Sequence, residues 1–65
     1  MDLYTFFRNN YPEHLAGKTV TVYGKRVRIT NVINHSTFQL AEPMVTPIGN
    51  TVDFVHLNEI QKIHL

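Results

Sequence analysis

The chain has 65 residues, 43% of them apolar and 17% charged, with a formal net charge of +1, no Cys and no Trp. That makes one domain at most, without disulfide staples or thiolate metal ligands, and too small for an elaborate catalytic cleft with a packed supporting shell. The near-neutral charge excludes a polybasic or acidic tail, and a charged fraction below the roughly 25% of ordinary soluble domains points to apolar surface hidden in an oligomer or against a partner.

Residues 2 to 10 are expected to form a short amphipathic helix. Asp2 is an N-cap type, and Leu3, Phe6 and Phe7 fall at i, i+3 and i+4 on one stripe. The same opening stretch has an early acid and only a short apolar run, which is not a secretory signal, and no run of apolar residues is long enough to span a membrane. A soluble, cytoplasmic protein is the expectation. Tyr11 to Gly17 reads as a second helical turn, with Pro12 at its first position and Gly17 just past its end.

From Lys18 the period changes to two, and a barrel is expected over about residues 18 to 65. Thr19 to Tyr23 alternates, with Val20 and Val22 on one face and Thr19, Thr21 and Tyr23 on the other. Gly24-Lys25 marks a hairpin turn. Arg26 to Thr30 alternates again, with Val27 and Ile29 inward and Arg26 and Arg28 outward. At Asn31-Val32-Ile33 the alternation breaks, as at a β-bulge that bends a strand. Asn34-His35-Ser36 is the next turn, and Thr37 to Ala41 a third strand, with Phe38 and Leu40 inward and Pro43 as its stop. Pro43 to Asn50 is expected as a loop, though Met44, Val45 and Ile48 are apolar for one. Thr51 to Leu57 is a fourth strand with Val52 and Phe54 inward, Asn58-Glu59 a single turn, and Ile60 to Leu65 a fifth strand. The fold class is therefore mostly β: a small five-stranded barrel with a short N-terminal α-helix plugging one end through Leu3, Phe6 and Phe7.

The pattern resembles the Sm-like (Lsm) family of small barrels, and other SH3-like barrels share its strand order. The resemblance rests on the helix, the run Val20-Thr21-Val22-Tyr23-Gly24-Lys25-Arg26-Val27-Arg28-Ile29, then Phe38-Gln39-Leu40, and finally Val52 to Ile60. It covers nearly the whole chain as a pattern of strands. It implies ring assembly and RNA binding. Where the family has a Gly at the bend of strand two, this chain has Thr30-Asn31. Where bacterial members have a lysine–histidine pair, the nearest stretch is Val55-His56-Leu57-Asn58. The architecture carries over, and no functional residue does.

Charge distribution is the sharpest functional feature. Lys18, Lys25, Arg26 and Arg28 lie close together, and no acid occurs between Glu13 and Glu42. With Tyr23 on or near the same face, these cations can hold phosphates while a base stacks on the ring. The same residues would also serve an acidic protein partner, or simply a solvated hairpin face. His14, His35, His56 and His64 have no metal-site spacing, and Asp2, Glu13, Glu42, Asp53 and Glu59 form no pair for acid–base work. Ser36, the one serine, lies beside His35 with no acid near it, and the three glycines are isolated. No metal, cofactor or enzymatic activity is expected.

Two functions remain. One is a homo-oligomeric binding module that takes RNA, DNA or a phosphate-bearing nucleotide through Lys18, Tyr23, Lys25, Arg26 and Arg28. The other is a phage-type accessory protein that binds and inhibits or sequesters a host component. Its contacts would be Tyr4 and Phe7 on the helix, and Met44, Val45 and Ile48 on the loop.

Overall fold

Period-two patterning and turn chemistry account for most of the architecture of the computed structural model, which describes residues Met1 to Leu65. Helix α1 (Leu3–Phe6) is a single turn capped by Asp2, whose carboxylate accepts from the Thr5 backbone N–H at 2.7 Å. It is shorter than the expected 2–10, because hydrogen-bonded turns replace helix after Phe6 and the Asn10 amide donates to the Phe6 carbonyl. A 3-10 turn, Pro12–Leu15, follows with Pro in its first positions, and Gly17 at φ 84° ends the segment as expected.

The strands are β1 (Thr19–Val22), β2 (Lys25–Asn34), β3 (Thr37–Val45), β4 (Thr51–His56) and β5 (Ile60–His64), with a 3-10 turn at Leu57–Glu59 between the last two. They form one antiparallel sheet in the order β4-β3-β2-β1-β5. No ladder joins β4 to β5, so the sheet is open at those two edges.

Tyr23 and Gly24, at φ 52° and 76°, make the two-residue turn between β1 and β2. Positive φ at both positions matches the right-handed twist of the flanking strands. The turn thus lies one residue earlier than Gly24-Lys25, and Tyr23 leaves the strand.

Irregular registers bend the sheet. In β2 the register shifts between Ile29 and Asn31, where the sequence breaks its alternation. The N-terminal half of β2 pairs with β1 and the C-terminal half with β3. In β3 the pairing with β4 jumps from Gln39↔Phe54 to Met44↔Val52. Pro43 falls inside that jump, so it interrupts no ladder bond and does not end the strand; β3 runs on to Val45. The remaining loop closes through Thr46 N–H to Asn50 O at 2.7 Å and Gly49 N–H to Thr46 O at 2.9 Å. In β5 the pairing passes from Val22↔Ile60 to Thr21↔Lys62, which leaves Gln61 as the extra residue.

The curved sheet encloses one core: Phe6, Leu15, Val20, Val22, Ile29, Phe38, Leu40, Met44, Val55, Ile60 and Ile63. Val20, Val22, Ile29, Phe38 and Leu40 face inward as the alternation requires. Phe54 does not. Val55 is buried opposite Phe38, so its neighbour Phe54 turns outward and is 39% exposed. The break at Asp53 puts Val52 and Val55, three apart, on the inner face. No helix is long and apolar enough to cross a membrane.

Phe38 is fully buried at the centre of this core. Truncation of such a residue costs about 3–5 kcal/mol, as much as a core this small supplies in all. Phe38→Ala is expected to be largely unfolded at 25 °C, as read by loss of amide chemical-shift dispersion. A well-dispersed spectrum would contradict the single-core architecture.

Candidate functional site

The outer face of β2-β1-β5 follows directly from the registers. Residues opposite each other in an antiparallel pair share a face. Arg26 pairs with Thr21 and Thr21 with Lys62; Arg28 pairs with Thr19 and Thr19 with His64. The intervening Val20 and Ile63 are buried. Two parallel rows thus cross the three strands, Arg26·Thr21·Lys62 and Arg28·Thr19·His64, with a threonine between the basic groups of each. Arg26, Arg28 and Lys62 are exposed.

None of these cations is neutralised internally. The one close contact between a basic and an acidic side chain joins His35 Nε2 to Glu13 Oε1, 3.3 Å apart, between two exposed residues elsewhere. Thr21 Oγ1 and His64 Nε2 share a hydrogen bond of 2.7 Å, which ties the imidazole to the neighbouring row. Partial burial holds the His64 pKa below its ordinary value of 6.5, with Arg26, Lys62 and the amino terminus adding charge repulsion.

A groove opens beside this face. Beyond the pair Ile29↔Leu40, β2 and β3 part, and no residue is aligned with Ala41, Glu42 or Pro43. Lys25, Arg26, Val27 and Arg28 line one wall and Ala41 to Val45 the other, with Thr19 at the end. Lys25 Nζ reaches the Val45 carbonyl at 3.4 Å. Glu42 is the one acid in the groove, and it pairs with no cation.

The expected site residues separate into groups. Lys25, Arg26 and Arg28 come together. Lys18 lies at the base of β1, half-buried, and its carbonyl accepts from the Ile29 N–H at 2.9 Å. Tyr23 stands apart in the turn, where its hydroxyl donates to the Glu59 carboxylate. Its expected place beside Arg26 and Arg28 on the strand face is thereby corrected: positive φ at Tyr23 takes it out of the ladder. Glu59 also accepts from the His56 N–H at 2.7 Å, and Gln61 Oε1 accepts from the Gly24 N–H at 2.8 Å. The hairpin tip is thus tied to the 3-10 turn and to β5.

Of the expected contact residues, Met44 is only 5% exposed and belongs to the core. It is unavailable to a partner, because the jump in the β3–β4 register turns it inward opposite Val52. Val45 and Ile48 are exposed. Phe7 is half-buried, edge-on to Phe6 with ring centroids 5.3 Å apart. With Leu3, Tyr4, Arg8 and Leu57 it lines an apolar depression, over which the Arg8 guanidinium lies 5.5 Å from the Tyr4 ring centre.

Sequence reasoning missed Lys62 and His64. Their signal is present: Lys62 and His64 alternate with the apolar Ile63 in the last strand. What sequence does not show is that β5 lies against β1, more than forty residues away in the chain. No three His, Asp or Glu side chains converge to hold a metal ion. No protein-family model, curated protein or solved structure matches the chain.

The Glu59 carboxylate titrates below its ordinary 4.5, first because of the His56 N–H and then because of the Tyr23 hydroxyl. A depressed carboxylate stabilises the fold above its unfolded pKa, and that stabilisation disappears as pH falls through the folded pKa. Wild-type stability is therefore expected to decline with acidification from pH 4.5 downward. Glu59→Gln is expected to be less stable at neutral pH and to show a shallower acid decline, as measured by urea unfolding across that range. Parallel curves for the two proteins would show that the bonds are not formed.

Proposed function

We propose that the chain is a small, homo-oligomeric, non-enzymatic module that binds single-stranded nucleic acid through the outer face of β2-β1-β5. The observation that carries this reading is the pair of rows Arg26·Thr21·Lys62 and Arg28·Thr19·His64, whose cations have no internal counter-charge. Arg26 and Arg28 are two residues apart on one strand, about 6.6 Å, which is of the order of the spacing between phosphates along an extended strand. The guanidinium fork holds phosphate oxygens in pairs, Lys62 extends the basic track across the sheet, and Lys25 adds its charge at the mouth of the groove. The open groove beside Arg26 and Arg28 gives the backbone a path.

The same reading takes the curved sheet as an SH3-like or Sm-like barrel. Three features support it: the strand order, the bend within β2, and the 3-10 turn between β4 and β5. The two unpaired edges and the low charge content support self-association.

A second reading draws on the apolar depression at Leu3, Tyr4, Phe7 and Leu57 and on the exposed Ile48. It makes the chain a phage-type accessory protein that blocks a host protein. Reversing Arg26 and Arg28 would leave that capture intact, whereas Tyr4→Asp with Ile48→Asp would abolish it.

Titration of the chain with single-stranded RNA and DNA oligomers at several salt concentrations tests the first reading. Affinity is expected to fall steeply with salt, and removing each phosphate contact lowers the log–log slope by about 0.7. Arg26→Ala, Arg28→Ala and Lys62→Ala are each expected to show that reduction. Absence of binding at low salt, or slopes unchanged in all three variants, would overturn it.

A further inference from the structure

The basic face ends at the bend of β2, but the outer surface of the sheet does not. Asn31 pairs with Gln39, and Gln39 with Phe54, so one further row, Asn31·Gln39·Phe54, crosses β2-β3-β4 on the outer side. The next residues inward along each strand confirm the direction: Val32 packs on the core, and Phe38 and Val55 are buried. Arg28 and Asn31 lie three residues apart on β2, so about 10 Å at most separates the two surfaces along the strand.

This row has an unusual composition for a solvated face. Phe54 is a large aromatic ring at 39% exposure, outside the buried core. His56 stands edge-on to it, with ring centroids 5.6 Å apart and planes at 82°. The imidazole is held by a hydrogen bond of 3.4 Å between Nδ1 and the Thr37 hydroxyl. The perpendicular ring pair therefore braces Phe54 at its partly exposed position.

Next to Phe54 in the row is the Gln39 amide, and beyond it the Asn31 amide, each with unused hydrogen-bonding groups. The Gln39 carbonyl of the main chain accepts from Thr30 Oγ1 at 3.4 Å, but its side-chain amide has no partner in the chain. Asn31 Oδ1 accepts from the Val32 N–H at 3.0 Å, which leaves Nδ2 free. A free amide offers donor and acceptor side by side, the pattern that matches a base edge. Asp53 is the neighbouring acid, exposed beside Phe54. It repels phosphate at this end of the sheet, so the ring end suits bases while the arginine end suits backbone.

We infer that Phe54, braced by His56, is a base-stacking shelf for single-stranded nucleic acid, with the Gln39 amide reading the edge of the stacked base. The inference rests on the nucleic-acid reading above and adds to it a second, uncharged subsite. The division of labour is physical: cations set affinity without regard to sequence, whereas a ring stacks only on a base. Single strands are the required form, because in a duplex both faces of a base are stacked on its neighbours and its Watson–Crick edge is taken by pairing.

The test compares an oligonucleotide with an abasic oligomer of equal phosphate count, using the full chain and fluorescence anisotropy. Phe54→Ala is expected to weaken binding of the base-bearing oligomer by about 5- to 150-fold. It should leave the abasic oligomer and the salt slope unchanged. Phe54→Trp, which would be the sole Trp of the chain, is expected to retain affinity and to be quenched on binding. Gln39→Ala is expected to flatten the affinity ranking among homopolymers. Equal losses on both oligomers, or no loss with Phe54→Ala, would overturn the shelf while leaving the basic face standing. A wild-type chain that binds neither oligomer would overturn both. A ranking untouched by Gln39→Ala would remove the edge-reading role.

Discussion

The constraint on which this molecule depends is that one five-stranded sheet must wrap a single core of eleven residues. A flat sheet of five short strands would leave its inner face half open to water. Extra residues relieve this by bending the strands: one region near Thr30-Asn31 in β2, a longer one at Ala41–Pro43 in β3, and Gln61 in β5. Each shift keeps a core residue inward on both sides of it. Val22 and Val20 thus meet Ile60 and Ile63, which are three apart. The same bends close the core and shape the outside. Because β2 turns away from β3 beyond Ile29↔Leu40, its basic half joins β1 and β5, and its polar half joins β3 and β4.

Much of this was legible in the chain, and the failures share a cause. The alternation in Thr19–Val22 and around Phe38-Gln39-Leu40 gave correct inward faces, because those stretches run without interruption. The bend in β2 was visible as three consecutive residues that break the period. Pro43 was misjudged because a proline that ends a ladder and a proline inside a bulge look alike in sequence. Phe54 was misjudged through the same bulge: with one register jump upstream, Val52 stays inward but Val55 replaces Phe54 as its companion. Asp53 is the clue, since a charged residue between two apolar ones fits either parity. Tyr23 was misplaced because bulky residues seldom accept positive φ. Its hydroxyl bond to Glu59, a contact between distant parts of the chain, supports the position, and no local pattern announces it.

The site shows the same limit in another form. Lys25, Arg26 and Arg28 were evident because they are neighbours in sequence. Lys62 and His64 needed the β1–β5 pairing, which is the most distant in the sheet. Phe54, His56 and Gln39 needed the register of β3 and β4. Local arithmetic finds charge runs; it does not find rows, because a row collects one residue from each strand.

Rows also show what the basic face costs the folded chain. Arg26 and Lys62 flank Thr21 at about 10 Å across two strand spacings, roughly one Debye length in physiological salt. Like charges at that range oppose folding, and no carboxylate sits between them to offset the repulsion. His64 registers the same field: Arg26 and Lys62 add to the effect of burial in holding its proton affinity down. A phosphate laid along the rows would offset the repulsion among these cations. The folded chain alone gains nothing from such an arrangement, whereas the chain with a polyanion on that face gains from each cation.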